Sequence, residues 1–334
     1  MSRSVKAYAL PPVFLGSILL LTLTSCAPLP HDPKETYVLI TANVNVPYWQ
    51  AAISGLNRAA SEMKVRAEID GPEAYDPQAE YDAFRKAVQR KPSGILLWAV
   101  DANLMTPGIN AAIAQGIPVI TINADAPSSN RLFFIGTDNY NAGGLAGRLA
   151  IGLLNGKGNV AIFNTPAPGP AKDRLQGFQD AIAKQGGMKV AQVIDVKGEP
   201  AIAFDAAKHF IDAKTGISAF VCFSATAGPE VGEVVNRENL NGKLHVIAMD
   251  ADPRTLELIR KRAISTTIAQ RPFTMAYVGV KLLDDVHHHP PNPLNGNWAH
   301  NAWSPIPAFV DSGMFVIDQN NVDAALRKQT AVAQ

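Results

Sequence analysis

The sequence predicts an α/β protein of two doubly wound parallel-sheet lobes joined by a multi-strand hinge, and three observations lead there. First, from about residue 36 short apolar runs alternate with longer helix-like stretches, the pattern of a parallel sheet covered by helices on both faces. Second, the two halves repeat one plan. In one, an apolar run at 94–97 leads through a helix to 119–122 and ends on Asn123 and Asp125; in the other, 219–223 leads to 246–249 and ends on Asp250 and Asp252. Third, the chain continues past the second half into further apolar runs, so it returns to the first lobe and builds a hinge of several strands.

Taken in order, the elements begin with a segment to be removed. Arg3 and Lys6 are the only charges before Asp32, and the apolar run at 13–23 is too short to span a bilayer. Residues 1–25 therefore read as a signal peptide. Leu23, Thr24, Ser25 and Cys26 resemble the lipobox of bacterial lipoproteins, which implies a thioether-linked diacylglycerol on Cys26. At about 0.8 kcal/mol per buried methylene, two or more chains anchor a protein almost permanently. Residues 26–35, with Pro28, Pro30 and Pro33, form a tether, and the first strand begins at Thr36 or Tyr37. Strands are expected at 38–41, 94–98, 118–122 and 133–135 in the first half. In the second they are expected at 159–163, 190–196, 219–223 and 246–249. Phe273, Tyr277, Val280 and Leu283 keep helical spacing through 273–286, and closing strands are expected at 308–310 and 314–317. The lobes are accordingly 36–137 plus 271–309, and 138–270 plus 310–334. Polar side chains where parallel strands stop, facing each other from two lobes, make a ligand cleft.

Composition narrows the function. A chain of 334 residues with 47% hydrophobic residues fills two cores, and a net charge of +1 without a basic run gives no footing for nucleic acid. The two cysteines are Cys26 and Cys222, so acylation of the first leaves no intramolecular disulfide. Gly143, Gly144 and Gly147 fall inside a helix and suit close helix packing rather than a dinucleotide fingerprint. His287, His288 and His289 at an element's end do not converge on a metal, and no cofactor motif is present. No G-x-S-x-G or His-Glu-x-x-His motif appears. Two carboxylates, Asp250 and Asp252, keep a glycosidase-like enzyme as a remote alternative.

A family resemblance sharpens this. Asn45 to Trp49 after the first strand, 117–123, 136–139, Arg174 before Gly177 and Phe178, Asp250, and Ile268 to Gln270 together resemble periplasmic sugar-binding proteins of the ribose-binding type, over 36–322 and in order. The resemblance implies the type I periplasmic binding protein fold and no enzymatic activity. It implies Tyr48 and Trp49 against the apolar face of a sugar, Arg174 and Asp250 on its hydroxyls, and Gln270 reaching across the cleft. Asn45, Asn123, Asp125 and Asn139 complete the candidate contacts. One of Asn123 and Asp125 is expected to be a cap or hinge group instead, and Asn139 caps the following helix or touches ligand, with the cap favoured. Asp252, before Pro253, reads as a helix cap. Ala124 and Asn123 replace a charged pair of ribose binders, and Ala42 and 224–227 lack polar side chains often found there, which argues against ribose itself. The implied partners are a sugar or polyol, an ABC-type permease and a membrane in the periplasm or at the cell surface, with the chain monomeric. A receptor presenting its ligand to a membrane sensor or chemoreceptor is the alternative.

Overall fold

The structure, a computed structural model, describes residues 31–165 and 170–332. The expected signal segment, Cys26 and the tether as far as residue 30 lie outside the described residues. The elements run β1 (Thr36–Ile40), α1 (Pro47–Met63), β2 (Arg66–Asp70), α2 (Pro77–Gln89), β3 (Gly94–Leu97), α3 (Ala102–Ala114), β4 (Val119–Ile122), β5 (Phe134–Gly136), α4 (Asn139–Leu154), β6 (Lys157–Asn164) and α5 (Pro170–Ala183). They continue as β7 (Gly187–Asp195), α6 (Pro200–Asp212), β8 (Ile217–Cys222), α7 (Ala227–Arg237), β9 (His245–Met249), α8 (Pro253–Arg260), β10 (Thr266–Gln270), α9 (Pro272–His288), β11 (Phe309–Asp311), β12 (Met314–Asp318) and α10 (Val322–Val332).

Two six-stranded sheets result, one per lobe, with orders β11-β5-β4-β3-β1-β2 and β12-β10-β9-β8-β6-β7. The second order repeats the first strand for strand. The first sheet is parallel throughout, whereas β12 runs antiparallel to β10. Strands β1, β3 and β4 are buried almost throughout, as continuous apolar runs under helices on both faces must be. Each fully buried Leu or Ile among them contributes roughly 1.5–3 kcal/mol.

Two strands were not among those expected. β2 is a sheet edge in which Arg66, Glu68 and Asp70 leave no apolar run to read. β10 begins with Thr266 and Thr267, yet four of its five residues are buried. The expected lobe boundary between 309 and 310 cuts β11, which pairs with β5 in the first sheet; the chain crosses instead at Ser312 and Gly313. The other crossings follow β5 and β10. The outer two are laced together, since Ser312 donates from both N and Oγ to the Gly136 carbonyl, at 2.8 and 2.9 Å, and Asp138 N donates to Asp311 Oδ1 at 3.2 Å.

Local chemistry sets the helix starts. Pro47 opens α1, while Asp76 caps α2 and Asp252 caps α8, each carboxylate accepting from two main-chain N–H groups; Asp252 thus has the role read from its place before Pro253. The buried face of α2 carries Glu80 beside Ala83, Phe84 and Ala87, and both Glu80 carboxyl oxygens are buried without a hydrogen-bond partner. At the end of α9, His288 is taken up by the Asp284 carbonyl and by Glu35 at 3.2 Å. Among the described residues no helix is long and apolar enough to cross a membrane.

Candidate functional site

The cationic group of the site is Arg174, carried by α5, and glycine brings it in. A Cβ on Gly143 of α4 would stand 1.9 Å from the Arg174 carbonyl oxygen, and one on Gly177 would stand 2.0 Å from that of Tyr140, so α4 and α5 pack backbone to backbone. The side chain is then fixed twice: Nε donates to Asn139 Oδ1 at 2.8 Å and Nη1 to the Phe223 carbonyl at 2.9 Å. Neither Asp173 nor Asp180 holds it; Asp180 instead accepts from Tyr140 and Gln176. Burial pulls the guanidinium below its ordinary range, with Asp250 and Tyr48 opposing.

Asn139 is not the helix cap. Asp138 accepts from Asn141 N at 2.9 Å and caps α4, which frees Asn139 to brace Arg174 while its own Nδ2 donates to the Thr137 carbonyl at 3.0 Å. Next to the 224–227 stretch it is the main chain, through the Phe223 carbonyl, that meets Arg174.

The anionic group is Asp250, directly after β9, with a left-handed φ of 64°. Asp is among the few residue types that tolerate this conformation. Its N–H donates to Ile268 of β10 at 2.9 Å, and its carbonyl accepts from Thr267 Oγ1 at 2.6 Å. Gln270 Nε2 donates to Asp250 Oδ1 at 2.9 Å, while Gln270 Oε1 accepts from Thr137 Oγ1 at 3.0 Å. Burial raises the Asp250 carboxyl above its usual range, the Arg174 charge and the Gln270 amide pull it down, and Asp252 adds a smaller push upward.

From the first lobe comes Tyr48, in the first turn of α1. Its hydroxyl donates to Asn123 Oδ1 at 2.9 Å and lies 3.4 Å from Met275 Sδ. Burial and the Asp250 charge raise it well above the ordinary phenol range, partly offset by Arg174. The Tyr48 ring therefore sits within the fields of both charged groups of the other lobe. Asn123 ends β4 as Asp250 ends β9: φ is 65°, and its N–H donates to Ile135 of the neighbouring strand at 3.0 Å.

Of three further candidates, Trp49 and Asn45 stand elsewhere than expected, and Asp125 is the one of the Asn123 and Asp125 pair that is not a ligand contact. Trp49 is only 2% exposed, because it continues the α1 stripe of Ala52, Leu56 and Ala59 into the core; its ring packs between Tyr48 and Trp98. It backs Tyr48 rather than facing the cleft. Asp125 is consumed by its own loop, accepting from Arg131 through Nε and Nη2, from Thr121 Oγ1 at 2.6 Å and from Ala126 N at 2.8 Å. Asn45 is exposed at the mouth, its Nδ2 donating to the Glu73 carbonyl at 3.3 Å. Thr137 and Phe223 are the participants that sequence reasoning missed. One lies inside the 136–139 motif, where only Asn139 was read as a contact, and the other acts through its main chain.

Arg174 and Asp250 perturb one another but form no direct ion pair among the described contacts. Opposite charges this close, each braced by neutral groups, leave donors and acceptors for a neutral hydroxylated molecule between them. Asp252 is tied to Arg254 N and Thr255 N, so the acidic pair is not two free carboxylates.

Known proteins share the sequence pattern and the fold. Residues 37–288 match the model of the periplasmic binding protein domain. The D-allose-binding periplasmic protein of Escherichia coli (strain K12) is 23% identical over 283 residues, covering 81% of this chain and 89% of the relative. The sugar-binding protein of a sugar ABC transporter from Bacillus halodurans superposes with a TM-score of 0.82 at 30% identity, covering 87% of this chain and all of that one. AraP, an arabinose-binding protein from Geobacillus stearothermophilus, gives 0.79 at 30% identity, with 87% and 99% covered.

Proposed function

Since this chain belongs to the periplasmic binding protein domain family, we propose that it is the substrate-binding lipoprotein of an ABC-type sugar importer, closing its two lobes on a monosaccharide-like ligand. The observation that carries this reading is the braced, unpaired couple of Arg174 and Asp250 in one lobe facing Tyr48 of the other. In mechanism, open and closed states lie close in energy, and a ligand touching both lobes only when they are closed shifts the population toward closure. Arg174 donates to a ring or hydroxyl oxygen, and Asp250 accepts from hydroxyls. Tyr48 covers the apolar face of the ring, and Asn123 and Gln270 fill the hinge side. Asn45 lies at the rim, and Trp49 acts from behind Tyr48. Release to a permease follows when docking favours the open state.

The family is one of binding proteins, and the tied Asp252 supports binding rather than hydrolysis. A lipid on Cys26 holds the chain at a membrane, in the periplasm or at the cell surface, within reach of that permease.

Titration calorimetry with D-allose, D-ribose, D-xylose and L-arabinose tests the reading. At least one sugar binds the wild type. Asp250→Ala weakens that binding by about a hundredfold, the loss of two hydrogen bonds to a charged acceptor, and leaves the fold intact. Unchanged affinity in the variant would sink the assignment.

A further inference from the structure

Two hydrogen-bonded chains leave the charged groups of the site, and both end on one hinge residue. From Asp250 the path runs through Gln270 to the Thr137 hydroxyl, at 2.9 and 3.0 Å. From Arg174 it runs through Asn139 to the Thr137 carbonyl, at 2.8 and 3.0 Å. Thr137 is 3% exposed and stands directly after β5, where the chain first passes between the lobes.

We propose that Thr137 is the positioning residue of the ligand site, its hydroxyl anchoring the oxygen end of the Gln270 amide so that the NH₂ end stays on Asp250 and the carboxylate is tied to the hinge. This rests on the reading of Asp250 as a ligand contact. A hydroxyl is donor and acceptor, but a carboxylate only accepts, so Gln270 must present its NH₂ group to Asp250 and its oxygen to Thr137. With the hydroxyl present, one orientation satisfies all three groups. Without it, Gln270 Oε1 loses its donor and the amide is held only at its Asp250 end, free to swing its NH₂ group off the carboxylate. The Asn139 amide is fixed by the same logic, with its NH₂ on a carbonyl and its oxygen on a guanidinium, and that path survives any change of the Thr137 side chain. The hydroxyl therefore governs the anionic group selectively.

The charged and titratable groups facing Asp250 are Arg174 from α5, Asp252 from the segment before α8, and Tyr48 from α1. None of them is altered by substituting Thr137, so a change in Asp250 titration reports the relay.

The test compares Thr137→Val, which keeps the shape, with Thr137→Ser, which keeps the hydroxyl. Carboxyl carbons of ¹³C-aspartate-labelled, ligand-free protein are titrated by NMR, with the Asp250 signal assigned by its loss in Asp250→Asn. Thr137→Val raises the Asp250 midpoint by about one pH unit, and Thr137→Ser leaves it in place. For the sugar that binds the wild type, Thr137→Val weakens affinity about tenfold and Thr137→Ser restores it. An unchanged Asp250 midpoint in Thr137→Val overturns the proposal, as does an equal shift in Thr137→Ser. If the midpoint moves but Asp250→Ala binds sugar normally, the relay stands and the site reading fails.

Discussion

Glu80 offers a sharp test of the packing, because a carboxyl is held where a charge is hardest to keep. It is fully buried on the inner face of α2, with neither oxygen hydrogen-bonded, and burial pushes its pKa from 4.5 up to about 9. Below 4.5 the group is protonated in both folded and unfolded chains and costs nothing. As pH rises from 4.5 toward 9 the unfolded chain ionises while the folded one stays protonated, so stability falls by about 1.4 kcal/mol per pH unit. Glu80→Gln keeps the shape and removes the titration. Urea unfolding of both proteins at pH 6 and pH 8 should therefore show the variant's advantage growing by about 3 kcal/mol between the two. A gap of equal size at both pH values would refute the reasoning, since it would mean that Glu80 carries its charge inside the fold.

Two further outcomes are expected, one from the structure and one from the sequence. Gly143→Ala drives α5 away from α4, which costs about 1–3 kcal/mol in urea unfolding and also weakens sugar binding by displacing Arg174; a variant as stable as the wild type would contradict the close approach. Cys26→Ala in the host moves the protein from the membrane pellet to the soluble fraction, with no diacylglycerol detected by mass spectrometry. Persistence in the pellet would remove the lipid anchor from the account.

The strand-and-helix plan was legible because buried parallel strands are apolar runs, and 94–97 and 119–122 could hardly be read otherwise. β2 was not legible, since an edge strand carrying Arg66, Glu68 and Asp70 has no apolar signature. The site divided along similar lines. Arg174, Asp250 and Gln270 stand together, through the Gln270–Asp250 hydrogen bond and the mutual influence of the two charges. Trp49 did not follow its neighbour Tyr48, because one residue on a helix turns the side chain by about 100° and carried Trp49 onto the buried stripe. Asp125 was lost to Arg131, a pairing across a loop whose path no spacing reveals. Asp138 rather than Asn139 capped α4, a one-residue choice that sequence patterns resolve poorly.

The guanidinium of Arg174 leans on the Phe223 carbonyl, and a main-chain oxygen cannot be mutated away. The side chains that follow, Ser224 and Thr226, are bonded to each other and not to the arginine. Substitutions there can change the loop's surface without loosening the cation beside it. The hold on the arginine and the side chains beside it thus belong to different atoms of one loop, so the second can vary without the first.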